Sequence, residues 1–323
     1  MELYVTKAGR LQRKRNTLHL IPSSEKEPAR FFPIENTDAV HLLGKTDINS
    51  DCIDLLSEHH VPAHFYGWHG NHLGTFLPHG HQVSGETVIA QVRATEQPSS
   101  RKRIASRLIG ATLTNMLNVL CEHNGPKIQE AKALITKNLE VVREEPPIQE
   151  IMGLEGRSRK AYYNAWEELL GEKFHRNYNP PTNPINALLS FLYSLLYAVV
   201  TGELYRTHLH LGISFLHAPQ ERRTSLSLDV CEPFKPYLAE RLLIRLWNSK
   251  QITAKSFVSQ SNGVFLTEEA KREVVEAWFD LLESTIFHPK LQKHVSKRRL
   301  IRLDGYNLQR HLLEGTPYEP FQG

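Results

Sequence analysis

Three side chains that could bind a metal ion lie in unusual surroundings between the middle of the chain and residue 232. Glu155 precedes a glycine in a segment rich in arginine, His217 follows the mostly apolar run 211–216, and Glu232 precedes Pro233. Two carboxylates and one imidazole, largely deprotonated near pH 7, form a ligand set that a hard or borderline divalent cation accepts. The sequence therefore predicts a divalent metal site, provided that folding brings these distant residues together.

Basic residues flank each of these three side chains. An anionic metal site rimmed by cations suits phosphodiester chemistry, because the metal neutralises charge at the reacting phosphate while basic side chains hold the strands. A solvated helix face would carry similar charges, and Glu155 and Arg159 could also form a plain surface pair four residues apart. We predict seven contacts to DNA, from Arg157, Arg159, Arg222, Arg223, Lys297, Arg298 and Arg299.

Two further residues join the candidate site. Asp229 lies three residues before Glu232, so in a helix both project from one face, where like charges repel unless a cation lies between them. We expect Glu232 to be the inner ligand and Asp229 to support it or to act as an alternate ligand. Tyr162 lies seven residues after Glu155, on the same helical stripe. An exposed acidic pair and a core tyrosine are the plainer alternatives.

Two kinds of periodicity divide the chain. Up to about residue 95, short segments separated by Gly, Pro, Asn or Ser predict strands at 3–5, 10–14, 17–21, 30–34, 39–43 and 63–66, with one helix capped by Asn49. Later, apolar residues recur at three- and four-residue steps and predict helices at 128–142, 148–170, 184–205, 226–248, 267–287 and 296–313.

These patterns predict an α+β protein with a small N-terminal β-rich domain followed by a larger all-α catalytic domain. We assign residues 1–90 to the first and 91–323 to the second, with a linker near 84–100. A chain of 323 residues is long enough for two cores.

Composition narrows the class of protein further. The net charge of +4 is too small to indicate nucleic-acid binding by itself. Three widely separated cysteines argue against a disulfide framework or a zinc knuckle and fit a reducing cytoplasm. The most apolar stretch, 187–200, is shorter than a bilayer span, so we expect a core helix and no membrane association.

The motifs resemble, in order along the chain, those of the CRISPR-associated integrase family, Cas-one. Glu155-Gly156-x-x-Arg159-x-x-Tyr162 is similar to its first metal-ligand motif, and the segments around His217 and Glu232 are similar to the second and third. Segment 184–193 resembles the central helix of the family, 262–267 a later turn and 298–303 the closing helix. Lys235 stands where the family more often has arginine.

The resemblance implies the adaptation step of CRISPR immunity. It implies a transesterification that joins the 3′-hydroxyl ends of protospacer DNA to the CRISPR repeat, with Mg²⁺ or Mn²⁺ held by Glu155, His217 and Glu232 and with Tyr162 near the reacting phosphate. With water in place of the hydroxyl, the same site would act as a metal-dependent DNA endonuclease. It further implies a homodimer formed through the N-terminal domain, double-stranded DNA as substrate, a Cas-two partner and, in some systems, a Cas-four exonuclease.

Two other functions remain open at this point. The chain could be a non-catalytic DNA-binding scaffold that keeps the fold and contributes only basic surface. It could also be a general metal-dependent nuclease of repair or recombination that acts without any repeat array. Substitution of Glu155 and His217 distinguishes the scaffold from an enzyme, and a strand-transfer assay distinguishes the nuclease from an integrase.

Overall fold

Two β-sheets form the N-terminal part of the computed structural model, which describes residues 1–79, 84–177, 180–218, 224–260 and 263–323. The first sheet has the strand order β1-β5-β7-β8 and the second has the order β4-β3-β2-β6. The elements are β1 (Glu2–Val5), β2 (Gly9–Lys14), β3 (Thr17–Pro22), β4 (Arg30–Pro33), β5 (Ala39–Leu42), β6 (Thr46–Ile48), α1 (Ser50–Glu58), β7 (Ala63–Tyr66) and β8 (His72–Phe76).

A small core of its own holds this part together. Leu11 and Leu18 from one sheet meet Val40 from the other and Leu55 from α1, and all four are fully buried. The Asn49 side chain accepts a hydrogen bond from a backbone amide of the first turn of α1, as the sequence predicts. The expected strands are confirmed, whereas β6 and β8 were missed because they are short and lack clear alternation.

Long helices make up most of the rest of the chain. They pack against one another around a second, larger core that extends into the N-terminal sheets. The helices are α2 (Gly85–Glu96), α3 (Pro98–Cys121), α4 (Pro126–Arg143), α5 (Ile148–Leu170), α6 (Pro184–Tyr205), α7 (Ser225–Phe234), α8 (Arg241–Asn248), α9 (Glu268–Glu283) and α10 (Lys297–Glu314). The fold class is therefore confirmed, but the stretch expected to be a linker is helical apart from Ser84 and Gln97, and the proposed division after residue 90 falls inside α2.

A π-helical segment, Lys235–Glu240, joins α7 to α8, where Pro233 and Pro236 predict that the helix 226–248 is kinked or split. Pro236 has no amide hydrogen to bond the carbonyl four residues earlier, so the regular hydrogen-bond ladder cannot continue through it. The Asn115 side chain donates to the carbonyl of Pro233, at 2.8 Å, and satisfies one acceptor near the break. The π-helical segment begins three residues after Glu232.

Two β-hairpins interrupt the helical part, so the expectation of an all-α second domain is wrong in detail. One pairs β9 (Phe257–Gln260) with β10 (Gly263–Leu266), and the other pairs β11 (Thr285–His288) with β12 (Lys293–Ser296). The second hairpin occupies the end of the stretch predicted as a helix to residue 287. Its strands have four residues each, too few for a period-2 pattern to outweigh the helical signal before it.

The central helix α6 lies in the middle of the larger core. Among the described residues, α3 and α6 are long and apolar enough to cross a membrane, but 67% and 78% of their most apolar windows are buried inside the protein. Both helices therefore serve as core helices, as the sequence predicts for 187–200.

The C-terminal segment 315–323 folds back over the helical core. The buried Tyr318 hydroxyl donates to the carboxylate of Asp304, which is itself buried in α10, at 3.2 Å. The ring of Phe321 stacks on Phe234 at the end of α7, with 5.3 Å between ring centroids. The C-terminal segment thus supports the helix that carries Glu232.

Candidate active site

A cleft of about 860 Å³ brings two of the predicted metal ligands together. Glu155 reaches it from the middle of α5 and Glu232 from the last turn of α7. The two glutamates are far apart in the sequence, and the packing of α5 beside the α7–α8 region places both on the same wall of the cleft. The cleft is open to solvent on the side of Arg157 and Lys160, which are exposed.

Arg159 lies between the acidic side chains and contacts three of them. Its Nε donates to Glu155 at 3.1 Å, one terminal nitrogen donates to Glu232 at 3.0 Å, and the other donates to Glu240 at 2.7 Å. Only 9% of Arg159 is exposed. Burial lowers the pKa of its guanidinium, but the surrounding acids, Glu240 first, raise it well above the usual value. Arg159 therefore stays charged and holds the carboxylates together.

Glu232 is buried and ionised. Its second carboxylate oxygen accepts a hydrogen bond from Lys235 at 2.5 Å, one turn further along the chain. Burial alone would raise the pKa of this acid, but Lys235 and Arg159 together lower it to about 2. The lysine therefore supplies the positive charge at the position where the family more often has arginine.

His217 is fixed by a buried carboxylate. Asp229 is fully buried in α7 and accepts hydrogen bonds from three consecutive backbone amides, those of residues 215–217, at 2.6, 2.9 and 3.1 Å. It also bonds Nδ1 of the His217 ring at 2.7 Å. This bond raises the pKa of His217 against the opposing effect of partial burial, and the charges of Asp229 and Glu232 raise it further. His217 is not among the described residues that line the cleft shared by Glu155 and Glu232.

The donor set fits a divalent cation by its chemistry. A histidine held at Nδ1 by a carboxylate presents Nε2 to a ligand, which is the usual arrangement around metal-binding histidines. Within the described ranges, however, no three His, Cys, Asp or Glu side chains already stand at metal-binding positions. Arg159 and Lys235 occupy the carboxylate oxygens of Glu232, so an ion would have to take their place. The predicted metal site stays a prediction.

Tyr162 is not among the described residues that line the cleft, so its predicted place beside a reacting phosphate stays a prediction. It is fully buried and packs edge-on against Trp166, with 5.8 Å between ring centroids. Two tyrosines that the sequence did not single out line the cleft instead, Tyr163 and Tyr193, whose hydroxyls are 2.9 Å apart. The Tyr193 hydroxyl also donates to Glu240. Core packing therefore explains Tyr162 in this structure.

The seven basic residues predicted to contact DNA divide into distinct groups. Arg157 is exposed at the rim of the cleft and suits that role, and Arg299 is also exposed. Lys297 is half-buried, with its ammonium 5.9 Å from the centre of the Tyr237 ring. Arg222 and Arg223 lie outside the described residues. The two that remain, Arg159 and Arg298, have internal roles.

Arg298 joins the two parts of the molecule through ion pairs, which leave little of its guanidinium free to contact DNA. Its guanidinium forms ion pairs of 3.1 Å with Asp38 of the N-terminal part, with Glu203 of α6 and with Glu283 of α9. Its side chain is 12% exposed. A guanidinium that is buried among three carboxylates serves the fold, so the expectation of a DNA contact is not supported here or at Arg159. Apart from the local pair of Arg159 with Glu155, neither arrangement could be read from the sequence, because the other partners come from distant elements.

Comparisons with known proteins find relatives over nearly the whole chain and agree with the fold. The sequence profile of the family described as "CRISPR associated protein Cas1" matches residues 3–280. A relative from Haloferax volcanii, named "CRISPR-associated endonuclease Cas1", is 39% identical over 319 residues, which is 96% of this chain and 95% of the relative. The solved structure of a CAS1 protein from Thermotoga maritima is 31% identical, covers 98% of this chain and 99% of its own, and gives a TM-score of 0.88.

More distant solved structures share the fold. A casposase bound to integration product gives a TM-score of 0.83 at 22% identity, covering 98% of this chain and 92% of that chain. A Cas6-RT-Cas1–Cas2 complex gives 0.86 at 19% identity, covering 100% of this chain and 36% of that chain. The profile match and the full-length relatives are decisive. This chain belongs to the Cas1 family of CRISPR-associated proteins.

Proposed function

We propose that this chain is the integrase of CRISPR adaptation, which joins the 3′-hydroxyl ends of protospacer DNA to the CRISPR repeat by metal-dependent transesterification. The observation that carries the proposal is the cleft shared by Glu155 and Glu232, where both flank Arg159, together with the bond of 2.7 Å by which Asp229 holds His217. With water as the nucleophile, the same cleft would cut DNA as an endonuclease. The name of the Haloferax volcanii relative supports the endonuclease activity.

Each residue of the cleft has a defined part in the proposal. Glu155, His217 and Glu232 would hold Mg²⁺ or Mn²⁺, and the bound ion supplies a Lewis acid for the attacked phosphate. Asp229 fixes the orientation of His217 and leaves Nε2 for the ion. Arg157, at the rim, would contact a phosphate of the DNA backbone.

Partners of this chain follow from the same proposal. Double-stranded DNA would be the substrate, both as protospacer and as repeat, and a solved relative of the same fold is in a complex with Cas2. A homodimer suits integration at both ends of a repeat, because two active sites must then lie a fixed distance apart. A Cas-four exonuclease is proposed only for systems in which the protospacer ends need trimming. Free cysteines fit action in the cytoplasm.

A strand-transfer assay tests the proposal. A short duplex with free 3′-hydroxyls is incubated with a repeat-containing plasmid, the small Cas2 partner and Mg²⁺ or Mn²⁺. Glu155→Ala and His217→Ala should each lower strand transfer about a hundredfold or more while DNA affinity is largely retained. Glu150→Ala, which removes an exposed acid in the first turn of the same helix, is the matched control and should leave activity unchanged.

Two outcomes would favour the other functions. If the wild-type chain binds DNA but neither joins nor cuts it, and both alanine variants behave the same, the chain is a non-catalytic scaffold. If only hydrolysis products form with the partner present, the chain is a general nuclease and the integrase proposal is wrong.

A further inference from the structure

Glu240 is a buried acid next to the cleft that the proposed metal chemistry does not use. It lies at the end of the π-helical segment, is fully buried, and pairs with Arg159 at 2.7 Å. The hydroxyl of Tyr193 donates to the same carboxylate oxygen. Burying an ionised carboxylate costs a large desolvation free energy unless a cation and hydrogen-bond donors compensate the charge. Here Arg159 is the cation and the Tyr193 hydroxyl is a donor.

The π-helical segment is what brings Glu240 to Arg159. In a regular α-helix, residues eight apart are rotated by about 80° from each other. A π-helix, with hydrogen bonds that span one residue more, turns less per residue. The underwound segment therefore reduces the rotation between Glu232 and Glu240, and both carboxylates reach the guanidinium of Arg159.

This geometry creates a competition for one cation. Arg159 pairs at the same time with Glu155 and Glu232, which are the proposed metal ligands, and with Glu240. A divalent ion that takes these carboxylate oxygens displaces the guanidinium from Glu155 and Glu232 and the ammonium of Lys235 from Glu232. The ion pair with Glu240 still neutralises Arg159 after this displacement. Without it, a buried guanidinium would be left unpaired, at a large cost in free energy.

We propose that Glu240 is a positioning residue that holds Arg159 while Glu155 and Glu232 turn to the metal ion. The inference rests on the proposed metal site and deepens it by naming what receives the displaced arginine. Glu240 contacts neither the ion nor the DNA in this account. Glu240 lowers the free energy needed to release Glu155 and Glu232 from Arg159, and it therefore raises the affinity for the ion.

The affinity for Mn²⁺ alone, measured by calorimetry on the full chain without DNA, tests this role. Glu240→Gln keeps the size of the side chain and an acceptor for Tyr193 but removes the charge that attracts Arg159. The variant should bind Mn²⁺ about tenfold more weakly than the wild type. Glu240→Asp keeps the charge and should lose less affinity than the Gln variant.

The matched control is Glu203→Gln, since Glu203 is also a buried acid paired with arginines, Arg298 and Arg302, away from the cleft. General weakening of the fold would lower Mn²⁺ affinity in this control as well, whereas the proposed role predicts affinity within about twofold of the wild type. An Arg159→Gln background gives a second check. There the displaced arginine is gone, so Glu240→Gln should cause no further loss.

The results that would overturn the inference differ from those that would overturn the metal site. If the wild type binds Mn²⁺ and Glu155→Ala weakens this binding, but Glu240→Gln does not, the metal site stands and the positioning role is wrong. An equal loss in the Glu203→Gln control also refutes the role. If the wild type binds no Mn²⁺, both the proposed metal site and the positioning role fail. Should Glu240→Gln not fold, a loss in Glu240→Asp as large as in Glu155→Ala would refute the role.

Discussion

The replacement of Arg159 by glutamine gives the clearest test of its internal role. Removing one partner of a buried ion pair costs about 3–5 kcal/mol, because the remaining charge is left uncompensated. Of the three acids involved, Glu155 is partly exposed and Glu232 keeps Lys235, so Glu240 determines most of the loss. We therefore expect Arg159→Gln to lower the free energy of unfolding by about 3–5 kcal/mol.

Arg157→Gln is the matched comparison, since Arg157 lies two residues earlier on the same helix and is exposed at the rim of the cleft. The free energy of unfolding of the Arg157→Gln variant should differ from that of the wild type by less than about 0.5 kcal/mol. If Arg157 contacts one phosphate, its loss should reduce the slope of log affinity against log salt by about 1, and Arg159→Gln should leave that slope unchanged. Urea unfolding and DNA binding at several salt concentrations measure both quantities. Unchanged stability with a reduced salt slope in Arg159→Gln would refute the internal role and restore the DNA contact predicted from the sequence.

Three further predictions concern other buried charges. Asp229→Asn should lower the rate of strand transfer about 10–100-fold, because the ring of His217 loses the carboxylate that fixes it. A rate equal to that of the wild type would contradict this role. Burial raises the pKa of Asp304 from 3.8 to about 7, so the folded state keeps a proton that the unfolded chain releases and stability falls as the pH rises through that window. Asp304→Asn should remove this pH-dependent loss in the free energy of unfolding, which is about 4 kcal/mol. The urea midpoint of the variant should therefore match that of the wild type near pH 4 and exceed it at pH 8. Parallel curves of midpoint against pH would be inconsistent with this assignment. Arg298→Met should cost about 3–5 kcal/mol in urea unfolding, whereas Arg299→Met, at an exposed position, should cost less than about 0.5 kcal/mol, and similar losses in the two variants would argue against the internal ion pairs.

Periodicity predicted most of the fold because it reports burial directly. The helical pattern of 148–170 and 184–205 coincides with α5 and α6, and the capping residue Asn49 marks the true start of α1. The short hairpins of the helical part escaped prediction, since four-residue strands carry too little pattern to compete with flanking helices. The π-helical turn also escaped, although Pro236 indicated an interruption.

Two acids of the cleft could be predicted from the sequence, whereas the ion pairs of its cations could not. Motif order identified Glu155 and Glu232, and the structure places them in one cleft. Whether an arginine faces solvent or three carboxylates depends on elements far away in the sequence, as with Arg159 and Glu240, which are 81 residues apart. The same limitation explains Tyr162, whose side of α5 faces the core.

The underwound turn between α7 and α8 is equivalent to one residue added to a regular helix. Loss of a single codon from 235–240 would place Glu240 seven residues after Glu232, at a rotation of about −20° in a regular helix, so the side chains on both sides of the deletion would keep nearly the same faces. Gain of one more residue would instead rotate the side chains beyond it by about 100°. During divergence, this region should therefore tolerate the loss of one residue more readily than the gain of another.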